Sequence, residues 1–546
     1  MAPTSALHQL AAKYFAALAR KFPVMCASDE FHFMPRVQRA SSQYHRLDCL
    51  EQTALAEVVD TLISYRSQFH DHGKTAENLE SQIDAVLLEG SVNGLLVEFE
   101  QTLSWRYNPL LYLKIALIGL DHAWSKPALS ESERRDRTLS RLDRIPGLLA
   151  EGIANLSGTS RRLRSAAQAM TCDSRRYLIQ WLRNLPARSR RRFEAPVKAI
   201  IEQLGVWEKF VERIAIRPNE PLVSGKFHTI INDIFLSRRS PNEIFTIAEE
   251  EWHRNNMALE QLRRRIDPSQ PWPALYHGYH PRALDEVDTL SLYRKEYEAL
   301  KRYFIDRKFF GMAQVGVLKV EKTPFYLHSV RSSASFAAAF SRDKGEYSHF
   351  YISPDLGGNG GSRDPQQHLR KRLNREFRFL SAHETVPGHH LIDSVRRSLK
   401  NPVRRQIESA LFYEGWAYYA ETLLAQYGYV SDPMAMLVDR KRRMWRAARC
   451  QIDTGLSTGR MSEDAATDLL VRTGFNTHEA RRQIDRFQLN PGYQVCYTLG
   501  RFEIEQLKRQ WAPKIGEQHF HALLLEGGQL PFHLAERRFK TLNPVS

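Results

Sequence analysis

Four residues in the segment HETVPGHHL, namely His383, Glu384, His389 and His390, are of the types from which a metal-dependent hydrolase builds its centre. In the ordinary HExxH zinc motif two histidines at i and i+4 share one helix face, and the Glu beside the first acts as base toward water activated by the metal. Here position i+4 is Pro387, so the plain motif is absent. Helical geometry weighs the two following imidazoles differently. On an unbroken helix an offset of seven residues turns about 700°, nearly two full turns, which favours His390. A two-residue bulge at Pro387 and Gly388 brings His389 into that place instead. We take His383 and His389 as ligands, with His390 as the alternative to His389. A third ligand is expected from a separate helix, and ALFYEGWAYYAETL at 410 to 423 offers Glu414 and Glu421, seven positions apart on one face of an apolar, aromatic run. A buried carboxylate is costly unless it is paired or bound to a metal, which predicts Glu414 as ligand and Glu421 as a partner behind it. Taken without the histidines, either Glu is equally well accounted for by a salt bridge to one of the many arginines.

These groups need elements to hold them. Leu369, Leu373, Phe377 and Leu380 recur at helical spacing and lead into His383 and Glu384, which places those two near the end of a helix with one buried face. Between 311 and 354 the pattern changes: GVLKV and EYSHFYIS are β-rich runs flanking SSASFAAAF, followed by the turn-forming LGGNGGSRDP. We expect a small sheet and a flexible loop near the metal; its edge either holds an extended peptide by main-chain hydrogen bonds or is a structural hairpin. From the start to about residue 245, apolar residues at three- and four-residue spacing predict a succession of helices, with breaks near Pro146, Gly158, Pro186 and Pro218. The N-terminal stretch reads as an amphipathic helix capped near Thr4 or Ser5, PLLYLKIALIGL at 109 to 120 as a buried helix, and 241 to 265 as a helix with acidic start and arginine end. The expected architecture is mainly α, with a deep cleft: residues 1–245 as helical scaffold and cleft wall, and 246–546 as the catalytic part with its sheet and its zinc-binding helices at about 366–425.

Composition sets the frame. A chain of 546 residues, 42% hydrophobic and 26% charged, has the balance of a globular protein large enough to hold a cleft, which excludes a disordered or fibrous reading. The net charge of +16 comes mainly from arginines, as in SRRLRS at 160 to 165 and ARSRRRF at 187 to 193. Those runs are short and not interleaved with aromatics, so we read them as solvated helix faces and disfavour nucleic acid as a partner. Attraction of acidic substrates is the milder alternative. Five cysteines without a CxxC pair suggest neither a disulfide framework nor a cysteine metal site and fit a reducing cytoplasm. No secretion signal is visible at the N-terminus, and Lys114 interrupts the most apolar stretch, which is too short for a membrane span. Nothing in the sequence sets an oligomeric state.

Five segments, HETVPGHHL, FYEGWAYYAE, MWRAARCQIDTGL, IDRFQLNPGYQVCYTLG and GQLPF, resemble the successive signatures of the bacterial family catalogued as domain of unknown function 885. The resemblance runs from about residue 100 to the end and is strongest after 380. It implies a mostly helical zinc metallopeptidase, similar to the oligopeptidase and carboxypeptidase clans of the gluzincin type, in which a Gly precedes the second His as Gly388 precedes His389. Carried onto this chain, it implies His383, His389 and Glu414 as ligands of one Zn2+ per chain, and Glu384 as general base. Tyr493 and Tyr497 of the late Gly-containing turn are the implied oxyanion donors, and Asp453 and Arg486 match positions expected to be structural or substrate-orienting. The chain departs from the family pattern at Ile392 and Tyr493, where Gln is usual, at Ser457, where His is usual, and at Phe487, where Tyr is usual. The implied activity is hydrolysis of a short peptide or amide, with water activation kept and the substrate altered. The alternatives are a specialised metal enzyme of small-molecule or modified-peptide biosynthesis, and a catalytically silent binding protein.

Overall fold

The three- and four-residue spacing of apolar side chains becomes helix through most of the chain in the computed structural model, which describes residues 5–217, 224–282, 288–310, 315–340, 345–353 and 363–543. The first helix, α1 (Ala6–Lys21), is capped by Ser5, whose hydroxyl accepts from the His8 amide; Thr4 lies outside the described residues. Helices α2 (Gln52–Thr75) and α3 (Leu79–Leu96) follow as a hairpin. The apolar stretch from 109 lies within α4 (Pro109–Ser125) and is almost wholly buried, with Asn108 capping its start. Its one charge, Lys114, reaches Glu30 at 2.9 Å. Around α4 pack α5 (Glu131–Asn155), α6 (Arg161–Asn184) and α7 (Ala187–Arg213). The expected break near Pro146 is not there: Pro146 sits inside α5, as Pro196 does inside α7. The buried stripe Leu142, Ile145, Leu148 and Leu149 runs through the position, and its packing offsets the hydrogen bond a proline removes. Breaks do fall at Gly158 and at Pro186, the residue before α7, while Pro218 lies outside the described residues. The arginines of 187–193 are exposed on α7.

The second half supplies the site. Helix α8 (Pro241–Ile266) opens with a reciprocal cap, in which the Ser240 side chain accepts from the Glu243 amide and the Glu243 carboxylate from the Ser240 amide, and it lies along α13 (Pro433–Ser457). Helix α9 (Thr289–Phe304) leads to a small sheet of β1 (Leu318–Lys322), β2 (Ala334–Ala337) and β3 (Ser348–Ile352) in the order β1-β3-β2, with β1 parallel and β2 antiparallel to β3. Val320, Phe350 and Ile352 form a cluster with Leu369, Leu373, Phe377 and Leu380 of α10 (Arg363–Glu384). The stripe foreseen on that helix is thus its contact with the sheet, each buried side chain contributing roughly 1.5–3 kcal/mol on transfer from water. Residues 356–362 of the turn-forming stretch lie outside the described residues. After α10 come α11 (His389–Ser398), α12 (Ala410–Gln426), α13, α14 (Thr477–Phe487) and α15 (Val495–Ile515). Among the described residues, no helix is long and apolar enough to cross a membrane.

Candidate metal centre

The end of α10 and the start of α11 are separated by a sharp bend at Thr385 to Gly388. Only glycine fits its last position, since a Cβ on Gly388 would stand 2.0 Å from the His383 carbonyl oxygen and 2.4 Å from that of Ala382. The bend is held from two sides, by the His390 amide donating to the Thr385 carbonyl at 3.0 Å and by Trp416 of α12 donating its indole N–H to the Pro387 carbonyl at 2.8 Å. In consequence His389 stands beside His383, their ring centroids 4.7 Å apart. His390 is directed elsewhere, toward Tyr297 and Phe336, and burial pushes its pKa down to about 4.

Glu414 of α12 completes the group. Its Oε2 lies 3.3 Å from His383 Nε2 and 3.5 Å from His389 Nε2, and one ligand atom from each residue falls within 4.8 Å of the others. All three residues are buried, yet Glu414 Oε2 has no hydrogen-bond partner. A buried carboxylate oxygen that faces two imidazole nitrogens without a well-formed hydrogen bond is a place a cation can fill, and two nitrogens with one oxygen suit zinc. The electrostatics agree: burial works against the Glu414 charge, but the two imidazoles hold its carboxyl well below the usual range. Burial also opposes a charge on His383, yet Glu414 and Glu421 lift its pKa to about 9, whereas burial lowers that of His389. Behind the first His, Glu421 Oε1 lies 2.8 Å from His383 Nδ1 and is gripped by Arg442 and Arg446 of α13. Arg442 in turn meets Glu376, which accepts from the Tyr276 hydroxyl at 2.5 Å. Arg442 and Arg446 stand i, i+4 on one helix, the one signal in the sequence that marks them as a pair of partners for Glu421.

Glu384 stands on the same turn as His383. One of its oxygens accepts from the Phe336 amide of β2 at 2.8 Å, and burial, with Glu414 adding to it, raises its pKa to about 7. Two outward carbonyls of β2 also have partners within the chain, Arg331 donating to that of Phe336 and the Ser332 hydroxyl to that of Ala334. The β2 edge thus holds the Glu384 carboxylate in place through the Phe336 amide.

Helix α15 and the turn before it bring in the tyrosines. The helix crosses α12 at two glycines: a Cβ on Gly415 would lie 2.5 Å from the Gly500 Cα, and one on Gly500 2.2 Å from the Leu411 carbonyl oxygen. Tyr493 donates to Glu414 Oε1 at 2.5 Å, and the Tyr497 ring stacks near His383 at 6.2 Å. The turn before α15 is pinned by Asp453, whose carboxylate accepts from the Gly492 and Gln494 amides, each at 2.8 Å. Asp453 is structural here, whereas Arg486 faces the open space in front of the cluster. That space is a cavity of about 920 Å³ lined from both halves of the chain, by Arg36 and Lys114 as well as by His383, Glu384 and Tyr497. His32 and Tyr413, which sequence reasoning did not single out, stack on Tyr493 at 5.1 Å and on His389 at 4.0 Å. Ile392 and Phe487 are buried, the latter under Arg449.

Comparison with known proteins gives family and fold. Residues 36–539 match the family described as bacterial protein of unknown function, DUF885. No curated protein matches the chain. A putative lipoprotein of unknown function from Shewanella oneidensis is similar in structure with a TM-score of 0.71 at 17% identity, the match covering 99% of this chain and 100% of that one. A putative lipoprotein from Colwellia psychrerythraea is similar with a TM-score of 0.75 at 16% identity over 98% and 99% of the two chains. At such identities the likeness is one of fold.

Proposed function

The chain belongs to the bacterial family DUF885, and from that premise and the geometry of the cluster we propose a zinc-dependent hydrolase that cleaves peptide or amide bonds. The observation that carries this reading is the unpaired, buried Glu414 Oε2 between the Nε2 atoms of His383 and His389, with Glu384 beside them. Zinc held by His383, His389 and Glu414 would supply a Lewis acid for the carbonyl and make water easier to deprotonate. The protein's own groups supply the rest. Glu384, its pKa raised to about 7, takes a proton from water and hands it to the leaving nitrogen. The Phe336 amide fixes the Glu384 carboxylate at one oxygen and leaves the other for that transfer. Tyr497 is the hydroxyl donor toward the developing oxyanion; burial raises its pKa, so it keeps its proton at neutral pH. Tyr493 is committed to Glu414 and acts on the ligand rather than on the substrate. Glu421, with Arg442 and Arg446 behind it, orients His383.

Tyr493 also favours a second reading: at a position where the family resemblance implies Gln, a phenol donates to the Glu414 carboxylate, which suits a metal enzyme with a specialised amide substrate. Product analysis separates the two, ordinary short peptides being poor substrates in that case. We place the protein in the cytoplasm, where its five unpaired cysteines stay reduced, and cell fractionation checks this, an envelope fraction overturning it. The experiment for the main reading is elemental analysis of the purified protein beside a His383→Ala, Glu414→Ala double variant. About one zinc per chain, lost in the variant, is expected; no bound metal and no uptake of added zinc would overturn the reading.

A further inference from the structure

One arm of the cavity carries positive charge that the proposed hydrolysis does not use. It is built where α10, α13 and α14 meet, and Arg375, Lys441, Arg449 and Arg486 line it. None of these four has a carboxylate within ion-pair distance among the described residues. Lys441 is the most telling: its side chain is only 6% exposed, and its ammonium lies against the rings of Tyr276, Trp445 and Phe475 at 4.9, 5.8 and 4.4 Å, with no hydrogen bond. Arg375 stacks on Tyr276 at 4.3 Å and has a buried Nε without a partner. Arg449 bonds Gln494, a neutral group, and lies 4.3 Å over the Tyr497 ring, so the arm opens directly beside the metal cluster. The acids of the arm are taken: Glu376 is bound by Arg442 and Tyr276, and Glu479 closes the cap of α14 on the Asn476 amide. Burial, opposed in part by the Glu376 carboxylate and reinforced by Arg372 and Arg375, pushes the Lys441 ammonium down to about 8. Charges of one sign held together in a cavity destabilise the free protein and are compensated when an anion enters.

We propose that this arm is a carboxylate subsite in which Lys441, Arg449 and Arg486 bind a carboxylate borne by the substrate, two or three residues from the bond that is cut. Its place in a cleavage rests on the hydrolase reading, while carboxylate binding itself does not. The spacing is taken from α10, where Arg375, the fourth cation lining the same arm, precedes His383 by eight positions, roughly 12 Å of helix, the reach of about three extended residues. A free C-terminus and an acidic side chain share this chemistry.

The test is calorimetric binding at low salt to the metal-free full chain, with three probes: the tripeptide Ala-Ala-Ala as free acid, the same peptide as amide, and Ala-Ala-Glu amide. The free acid should bind at least about tenfold more tightly than its amide, and Ala-Ala-Glu amide should regain that affinity if the side-chain carboxylate is the group recognised. Lys441→Met and Arg486→Gln should each remove the preference, with circular dichroism reporting the fold; Arg486 is exposed, so its variant stands even if the first does not fold. Equal binding of acid and amide, no binding of any probe, or a preference that survives the substitution at Arg486 would overturn the subsite. The same peptides offered to the zinc-loaded protein separate the two ideas: carboxylate-dependent binding without cleavage of any probe sinks the hydrolase reading and leaves the subsite standing.

Discussion

Glu384, Glu421 and the two tyrosines stand around the same cluster but have different partners and separable tasks. Glu384 is not among the three residues whose ligand atoms converge, so on the hydrolase reading Glu384→Gln should leave zinc content unchanged while hydrolysis falls about 10²–10⁴-fold; a variant that keeps its turnover would remove Glu384 as the base. Glu421 lies 2.8 Å from His383 Nδ1 and away from the cavity, so Glu421→Gln should weaken zinc roughly 10–100-fold in competition with a chelator. Unchanged affinity would mean that the Arg442 and Arg446 network is structural only. Tyr493 bonds Glu414 and Tyr497 does not, which on the hydrolase reading predicts a split: Tyr497→Phe lowers kcat by about 10²–10³ at unchanged metal affinity, and Tyr493→Phe lowers metal affinity first. The reverse pattern would exchange their roles. At this scale much was legible, because residue types that bind metal are few, and Glu414 in an apolar helix calls for a partner wherever it is found. The choice between His389 and His390 was not, since it depends on which way a bend turns.

Elements decide where those residues meet. The contact of α12 with α15 puts Glu414 beside Tyr493 and Tyr497, and it depends on Gly415 and Gly500 being without side chains. Gly500→Ala would push a methyl group to 2.2 Å from the Leu411 carbonyl oxygen, a backbone atom that cannot swing away. We expect a loss of about 1–3 kcal/mol in chemical denaturation, together with reduced turnover as Tyr497 moves off His383; a variant as stable as the parent would show that the helices can separate cheaply. The helices were largely legible from periodicity, including the stripe Leu369, Leu373, Phe377 and Leu380. The continuity of α5 through Pro146 was not, because a proline's local cost is visible in sequence and the burial that offsets it is not.

Across the whole molecule, the first and second halves are tied by buried charge. Glu30 meets Lys114 at 2.9 Å within the first half and Arg331, just before β2, at 2.5 Å. Burial opposes the Glu30 charge, but Lys114 and Arg331 outweigh it and hold the carboxyl far below its ordinary value of 4.5. A folded pKa below the unfolded one means that the folded state binds fewer protons, so this stabilisation is present above about pH 4.5 and lost progressively as the pH falls below it. Glu30→Gln should therefore cost about 3–5 kcal/mol at neutral pH and flatten the acid limb of a stability-against-pH curve; equal slopes for the two proteins would refute the link. Helical mass, the His383–Glu384 pair at a helix end and an acidic residue misplaced in an apolar helix were determined by the sequence alone, since each is written in local spacing. The tertiary structure alone decided that His389 turns toward His383, that a phenol from the turn before α15 reaches Glu414, and that cations from α10, α13 and α14 gather in one arm. Those outcomes depend on how closely helices approach and on what they bury, and these are properties of pairs of segments far apart in the chain.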